Sequence, residues 1–259
     1  MAYNEPMKLI DFVNSMLDVL NIRDFDSADS SFNGLQVGDL DSEIRKVAFS
    51  VDASLATIRA ASEAGADLLF VHHGLFWGRP KAITGTHYDR VKALLDNGVG
   101  LFACHLPLDA HMKMGNNARM AQTLDMTDVE PFSFYKGKYI GVKGRFPKPM
   151  TAGDIIKKLG IRENATDYII NGGEKTFRTA GIVSGGGAFD VYEAMDEGLD
   201  VLITGESQYS TVNDCAEAGM SMLCLGHYET ETFGVKAVME YVSANMGLET
   251  CFIDMPLGL

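Results

Sequence analysis

Apolar, β-favouring runs recur along the chain at 46–51, 68–72, 99–104, 139–146, 179–183, 201–204 and 220–225. Between them the apolar positions fall at helical spacing, over 6–20, 55–64, 88–96, 116–124, 152–159, 190–197, 210–218 and 231–244, with glycine closing several of these segments. A strand that is apolar along its whole length is covered on both faces. The alternation therefore predicts an α/β protein with mixed or parallel sheets and helices on both faces.

The pattern also repeats. RKVAFSVDAS…EAGADLLFVHHG, over 45–74, is echoed by RTAGIVSGGG…DEGLDVLITGES over 178–207, with Gly65 and Asp67 opposite Gly198 and Asp200 at a constant separation of 133 residues. NGVGLFACHLPLD at 97–109 is echoed by AGMSMLCLGHYETE at 218–231 at a separation of about 121, so the first copy carries about 12 extra residues after Gly74. We read two related α/β units from an internal duplication, 1–127 and 128–259, with the C-terminal helix expected to pack back on the first.

Composition narrows the class. With 46% apolar and 22% charged residues the chain has the balance of a folded globular protein. Its 35 acidic against 22 basic residues leave a net charge of −13, a field that repels polyphosphate and anionic lipid, so neither nucleic acid nor membrane is the expected partner. The longest run without a charged residue is 12 residues, 97–108, against the roughly 20 that a spanning helix needs. The N-terminus lacks the basic-then-apolar layout of a secretory signal, and Cys104, Cys215, Cys224 and Cys251 show no CxxC spacing. Reduced thiols in a cytoplasmic protein are expected.

In open α/β sheets ligands gather beyond the carboxyl ends of the strands. Here those ends carry His72 and His73, then His105 and Asp109, then His227, Glu229 and Glu231. Adjacent histidines within a strand would diverge, but at a strand exit followed by Gly74 they can serve two ions about 3.5–4 Å apart. His227 and Glu231, at i and i+4, share one face if a helix begins near Gly226. Each residue taken alone also fits a structural role, as a hydrogen-bonded histidine or a helix-capping carboxylate. As a set without cysteine they suit Zn, Mn, Fe or a similar divalent ion, and spacing does not choose among these.

Five ordered strings, FNGLQVG at 32–38, VHHGLFW at 71–77, CHLPLDAHMKMGNN at 104–117, DVLITGE at 200–206 and GHYETE at 226–231, resemble the GTP cyclohydrolase I type 2 homologue family, also called NGG-one-interacting-factor-three-like. The resemblance implies two interlinked α/β/α units, a ring-shaped homohexamer built as a trimer of dimers, and two divalent metal ions per subunit (Zn, Fe or Mn). His73 and Asp109 would complete one ion, His72 and His227 the other, with Glu231 as the bridge. Many relatives place an aspartate ahead of the 31–34 run, and the sequence is read here as departing from that pattern.

Two such ions make hydrolysis the natural reaction class, and the cyclohydrolase label implies opening of the guanine imidazole ring at C8. Glu206, opposite His73 in the repeat, is the candidate general base, and His105 a candidate proton shuttle or a partner to a ligand. A nucleotide or similar small phosphorylated molecule is the expected substrate. Phosphoester hydrolysis at the same ions, or a scaffold with structural metals, remain the alternatives. The 184–187 run, SGGG, reads either as a phosphate cradle or as a tight turn against the sheet. The basic stretch 136–148 reads best as a half-buried strand whose outer face resists edge pairing, and His87 and His111 as surface residues.

Overall fold

The computed structural model describes residues 5–162, 164–166 and 168–256. In chain order the elements are β1 Met7–Lys8, α1 Leu9–Val19, β2 Gly34–Val37, β3 Glu43–Ile44, β4 Lys46–Asp52, α2 Leu55–Glu63, β5 Leu68–His73, α3 Gly85–Asp96, β6 Gly100–Ala103, α4 Leu106–Ala110 and α5 Asn116–Thr123. They continue with β7 Thr127–Tyr135, β8 Lys138–Thr151, α6 Ala152–Leu159, β9 Tyr168–Ile170, β10 Thr176–Val183, α7 Val191–Asp196, β11 Val201–Thr204, α8 Tyr209–Ala218, β12 Ser221–Cys224, α9 His227–Met246 and β13 Glu249–Phe252. Two compact units result, one from the described residues up to Leu108 together with Val235–Met255, the other from Asp109–Gly234. Residues 109–127, Asp109 among them, group with the second unit.

The first unit is a five-stranded sheet in the order β13-β4-β5-β6-β2, parallel throughout except for β2. Period-two alternation puts Phe49, Phe70 and Phe102 on one face in direct register. Phe70 stacks on Phe102 at 5.4 Å, and Phe12 of α1 meets Phe102 edge-on at 6.0 Å. All four rings are fully buried. The opposite face packs Ala48, Leu69, Val71 and Leu101 against Ile58, Val91 and Leu94 from α2 and α3. With both faces covered, the strands have to be apolar at every position, as their composition indicates.

The second unit is a six-stranded mixed sheet in the order β7-β8-β10-β11-β12-β9. Ile182, Ile203 and Leu223 lie in register across its parallel centre and join the core that Leu159, Phe177 and Leu225 complete. The basic stretch is indeed a half-buried strand, with Val142 and Phe146 buried and Tyr139 and Arg145 exposed. It is not an edge, however. β8 lies between β7 and β10, and its Lys143 pairs with Glu197. Cys104, Cys215 and Cys224 are buried free thiols and Cys251 is partly buried. Among the described residues no helix is long and apolar enough to cross a membrane.

Candidate metal centre

In the first unit, β5 ends on His72 and His73, and β6 leads into His105. His72 and His73 project from alternate faces of one strand, yet at its exit their ring centroids converge to 4.7 Å, and His105 stands 5.1 Å from His72 and 5.6 Å from His73. One ring nitrogen from each of the three lies within 4.8 Å of the others. Each ring is aimed by a bond to its Nδ1. His72 Nδ1 meets the Cys104 carbonyl, His73 Nδ1 the Asp52 carboxylate and His105 Nδ1 the Asp29 carboxylate, all at 2.9 Å. A carbonyl or a carboxylate only accepts, so the proton sits on Nδ1 and the lone pair on Nε2, which is the ligand form of histidine.

Asp29 and Asp52 are residues that sequence reasoning missed, and Asp29 is the more buried of the two. Asp29 lies two residues ahead of the 31–34 run. Its side chain is 1% exposed. Four donors converge on it at 2.9 Å: Ser31 N, Asn33 Nδ2, His105 Nδ1 and Leu106 N. Burial pushes its carboxyl up, but the bond and charge of His105 with the Asn33 and Ser31 donors outweigh that and hold it down at about 2. Asn33 Oδ1 also accepts from His105 N at 2.8 Å. The FNG motif thus fastens the turn that carries His105, a role with no local signature because the partners lie 76 residues apart.

In the second unit α9 begins at His227, so His227 and Glu231 do share the face of its first turn. His227 Nε2 lies 3.1 Å from Glu231 Oε1, and its Nδ1 donates to Glu206 Oε1 at 2.6 Å. Burial alone would lower the imidazole's pKa, but the bonds and charges of Glu231 and Glu206 raise it to about 9. Glu206 therefore stands to His227 as Asp52 stands to His73. Asp109, at the end of α4 and 8% exposed, accepts from Asn116 Nδ2 and Ser184 Oγ, both at 2.9 Å.

The glycine run after β10 explains why nothing bulkier could sit there. Gly185 has a φ of +61°, and a Cβ on it would overlap Glu231 Oε1 and lie 3.0 Å from His227 Nε2. Three amides of the run are committed internally: Ser184 N to Asn117 Oδ1, Gly185 N to Thr230 Oγ1 and Gly187 N to Thr204 Oγ1. The loop is a tight turn that seats the His227–Glu231 pair, with little of a phosphate cradle left over. His87 is corrected from surface to core, 3% exposed and edge-on to Phe76.

The first unit offers imidazoles fixed on Nδ1, and the second an imidazole with a 3% exposed glutamate and an 8% exposed aspartate, donor types that suit a borderline divalent cation such as Zn, Mn or Fe. The glycine cradle fits it too, since it brings backbone against a carboxylate–imidazole pair where a side chain would intrude. A family described as Duf34/NIF3 (NGG1p interacting factor 3) matches residues 7–256. The chain belongs to the DUF34/NIF3 family. Among family relatives, a protein of Deinococcus radiodurans named "GTP cyclohydrolase 1 type 2 homolog" is 44% identical over 231 residues, covering 89% of this chain and 88% of that one. A Halobacterium salinarum protein of the same name is 41% identical over 98% of this chain and 100% of its own. A solved structure from Thermus thermophilus superposes with a TM-score of 0.85 at 37% identity, covering 98% of this chain and 100% of that one.

Proposed function

We propose that this DUF34/NIF3 protein is a divalent-metal-dependent hydrolase of nucleotides or closely related small molecules. The ligands are His72 and His73 in the first unit and Asp109, His227 and Glu231 in the second, for two ions per chain drawn from Zn, Fe or Mn. The observation that carries the reading is the uniform anchoring of His72, His73 and His227 through Nδ1, which fixes every ring by one nitrogen and keeps Nε2 as the other; on His227 a cation would take the place of the Nε2 proton shared with Glu231. Ions held by such a set acidify water and steady negative charge that develops on the attacked group.

The remaining residues position and move protons. Asp52 and Glu206 fix the orientation of the His73 and His227 rings through Nδ1. Glu206, whose side chain is 42% exposed, is also the proposed general base, and His105, backed by ionised Asp29, the proposed proton shuttle. The relatives' shared name supports guanine ring opening as the specific reaction, with phosphoester cleavage as its rival. A homo-oligomer, up to the expected hexamer, is supported by the exposed aromatic side chains Phe134, Tyr139 and Phe189.

Glu231→Gln is the deciding variant. We expect elemental analysis to show at least one ion lost while the circular dichroism spectrum stays that of the parent. With metal-replete parent and GTP, mass spectrometry should find a hydrated, ring-opened product that the variant does not make. Inorganic phosphate instead of that product would move the reading to the phosphoesterase, and full metal retention by the variant would remove Glu231 from the ligand set.

A further inference from the structure

The first unit also holds a cavity of about 380 Å³ lined by Phe32, Gln36, Phe76, Trp77, Arg79 and Pro80. That volume falls within the range of small-molecule sites. Its walls are aromatic and in the open: Phe32 is 60% exposed and Trp77 37%. They are also rigid. Trp77 Nε1 donates to the Gly74 carbonyl at 2.9 Å, Phe32 N to the Phe76 carbonyl at 3.0 Å and Gly78 N to the Ser30 carbonyl at 2.6 Å. Gln36 fastens both loops at once, its Nε2 donating to the Phe32 carbonyl at 2.7 Å and its Oε1 accepting from Leu75 N at 2.6 Å. So much hydrogen bonding spent on holding two exposed rings in place is the signature of a prearranged binding wall.

Two further features say what the wall holds. The Trp77 ring lies 6.0 Å from His73 and meets His105 edge-on at 4.9 Å, so the cavity opens beside the imidazole cluster. Arg79 lines the same cavity, exposed and without a hydrogen bond or ion pair among the described residues. One arginine in a chain of net charge −13 suits a small anion and not a long phosphate polymer. We propose that this cavity is the recognition subsite for a planar heteroaromatic ring bearing an anionic group, a nucleotide being the simplest case. The ring stacks on Phe32 and Trp77, and the anion meets Arg79. What is then done to the ring beside His73 and His105 rests on the hydrolase reading, whereas binding itself needs no metal.

Trp77 is the only tryptophan of the chain, so its emission reports on this cavity alone. In protein treated with EDTA, guanosine 5′-monophosphate should quench that emission saturably, guanosine should bind about tenfold more weakly, and ribose 5-phosphate should leave it unchanged. Phe32→Ala should weaken the monophosphate by about tenfold, and Arg79→Ala should abolish its advantage over guanosine. Absence of a saturable quench, equal competition by ribose 5-phosphate, or a Phe32→Ala protein that binds unchanged would each overturn the subsite. Glu231→Gln separates the two readings, since it should lose metal and keep the quench. A parent that holds no metal but shows the quench would leave the subsite standing and defeat the hydrolase.

Discussion

The two units share a scaffold and divide the chemistry. In the first, Asp67 Oδ2 accepts from the backbone N–H groups of Arg45 and Lys46 at 2.7 and 3.0 Å. In the second, Asp200 Oδ2 accepts from Arg178 and Thr179 at 2.7 and 2.9 Å, each partner 133 residues further on. The Phe49, Phe70 and Phe102 register of one sheet recurs as Ile182, Ile203 and Leu223 in the other. At the strand ends the copies part. Asp52, which aims His73, has Gly185 as its counterpart, and His73 itself has Glu206. One copy keeps an imidazole and its acceptor on neighbouring strands. The other gives up that side chain, makes room for Glu231 and His227, and turns the second position into the acceptor. A repeated framework can thus hold its hydrogen-bond clamps constant while the side chains at its strand ends are redistributed.

The largest effect that would break this contrast should come from Asp29, which has no counterpart clamp among the described residues of the second unit. Asp29→Ala strands four donors in a buried turn and should cost about 3–5 kcal/mol in denaturant unfolding. Because its carboxyl is held at about 2, below the ordinary 3.8, it contributes stability above the ordinary value that is lost as the pH falls towards 2. The parent should lose about 2 kcal/mol across that window and Asp29→Asn should not, as urea titrations at several pH values would reveal. A parent whose stability is flat there contradicts an ionised Asp29.

Gly185→Ala comes next, at about 1–3 kcal/mol for a side chain at positive φ. It should also reduce metal content, whereas Asp52→Ala should reduce metal content without comparable loss of stability, Asp52 being 30% exposed. Equal melting temperatures for Gly185→Ala and the parent would deny the cradle. The matched pair Asp67→Ala and Asp200→Ala should each cost about 1–2 kcal/mol, the more buried Asp67 the more. If one of the two is silent in thermal unfolding, the clamp is not a shared device.

The smallest effect lies where the helices after the strands start differently. Ser54 caps α2 through Thr57 N, but at its counterpart stands Gly187, and the chain enters α7 through a 3₁₀ turn that carries Asp190. Burial raises the Asp190 carboxyl, the Ser133 hydroxyl bond partly offsets this, and Glu193 adds to the rise. A carboxyl whose folded value is raised destabilises the fold as the pH climbs from its unfolded value past its folded one. Asp190→Asn should therefore be more stable than the parent at neutral pH, by under about 1 kcal/mol, and lose that advantage below about pH 4.

The parallel centres of both sheets are readable from sequence because burial on two faces leaves an uninterrupted apolar run, and the Gly-Asp pair before β5 and β11 marks each copy. The flanking strands are not. β2, β7, β9 and β13 are short or largely exposed, and β13 joins its sheet beside β4 from the far end of the chain, which no local pattern announces. Among the site residues, the histidines and Glu231 stand out by type at strand ends. Asp29, Asp52 and the orienting bond of Glu206 do not, since an acceptor is recognised only by the donor that reaches it from another segment. His87 reads as a polar surface residue and is core, covered by Phe76.

The tether on each imidazole has a consequence for how a cation would come and go. Because His72, His73 and His227 are each steered by protein atoms alone, stripping the proposed ions with a chelator should leave each of these rings in place and the fold intact, in contrast to small zinc domains that unravel when emptied. Loading then requires almost no ordering of side chains. On the metal-dependent reading, a protein built this way would exchange one transition metal for another as supply changes, its selectivity set by availability more than by its own architecture.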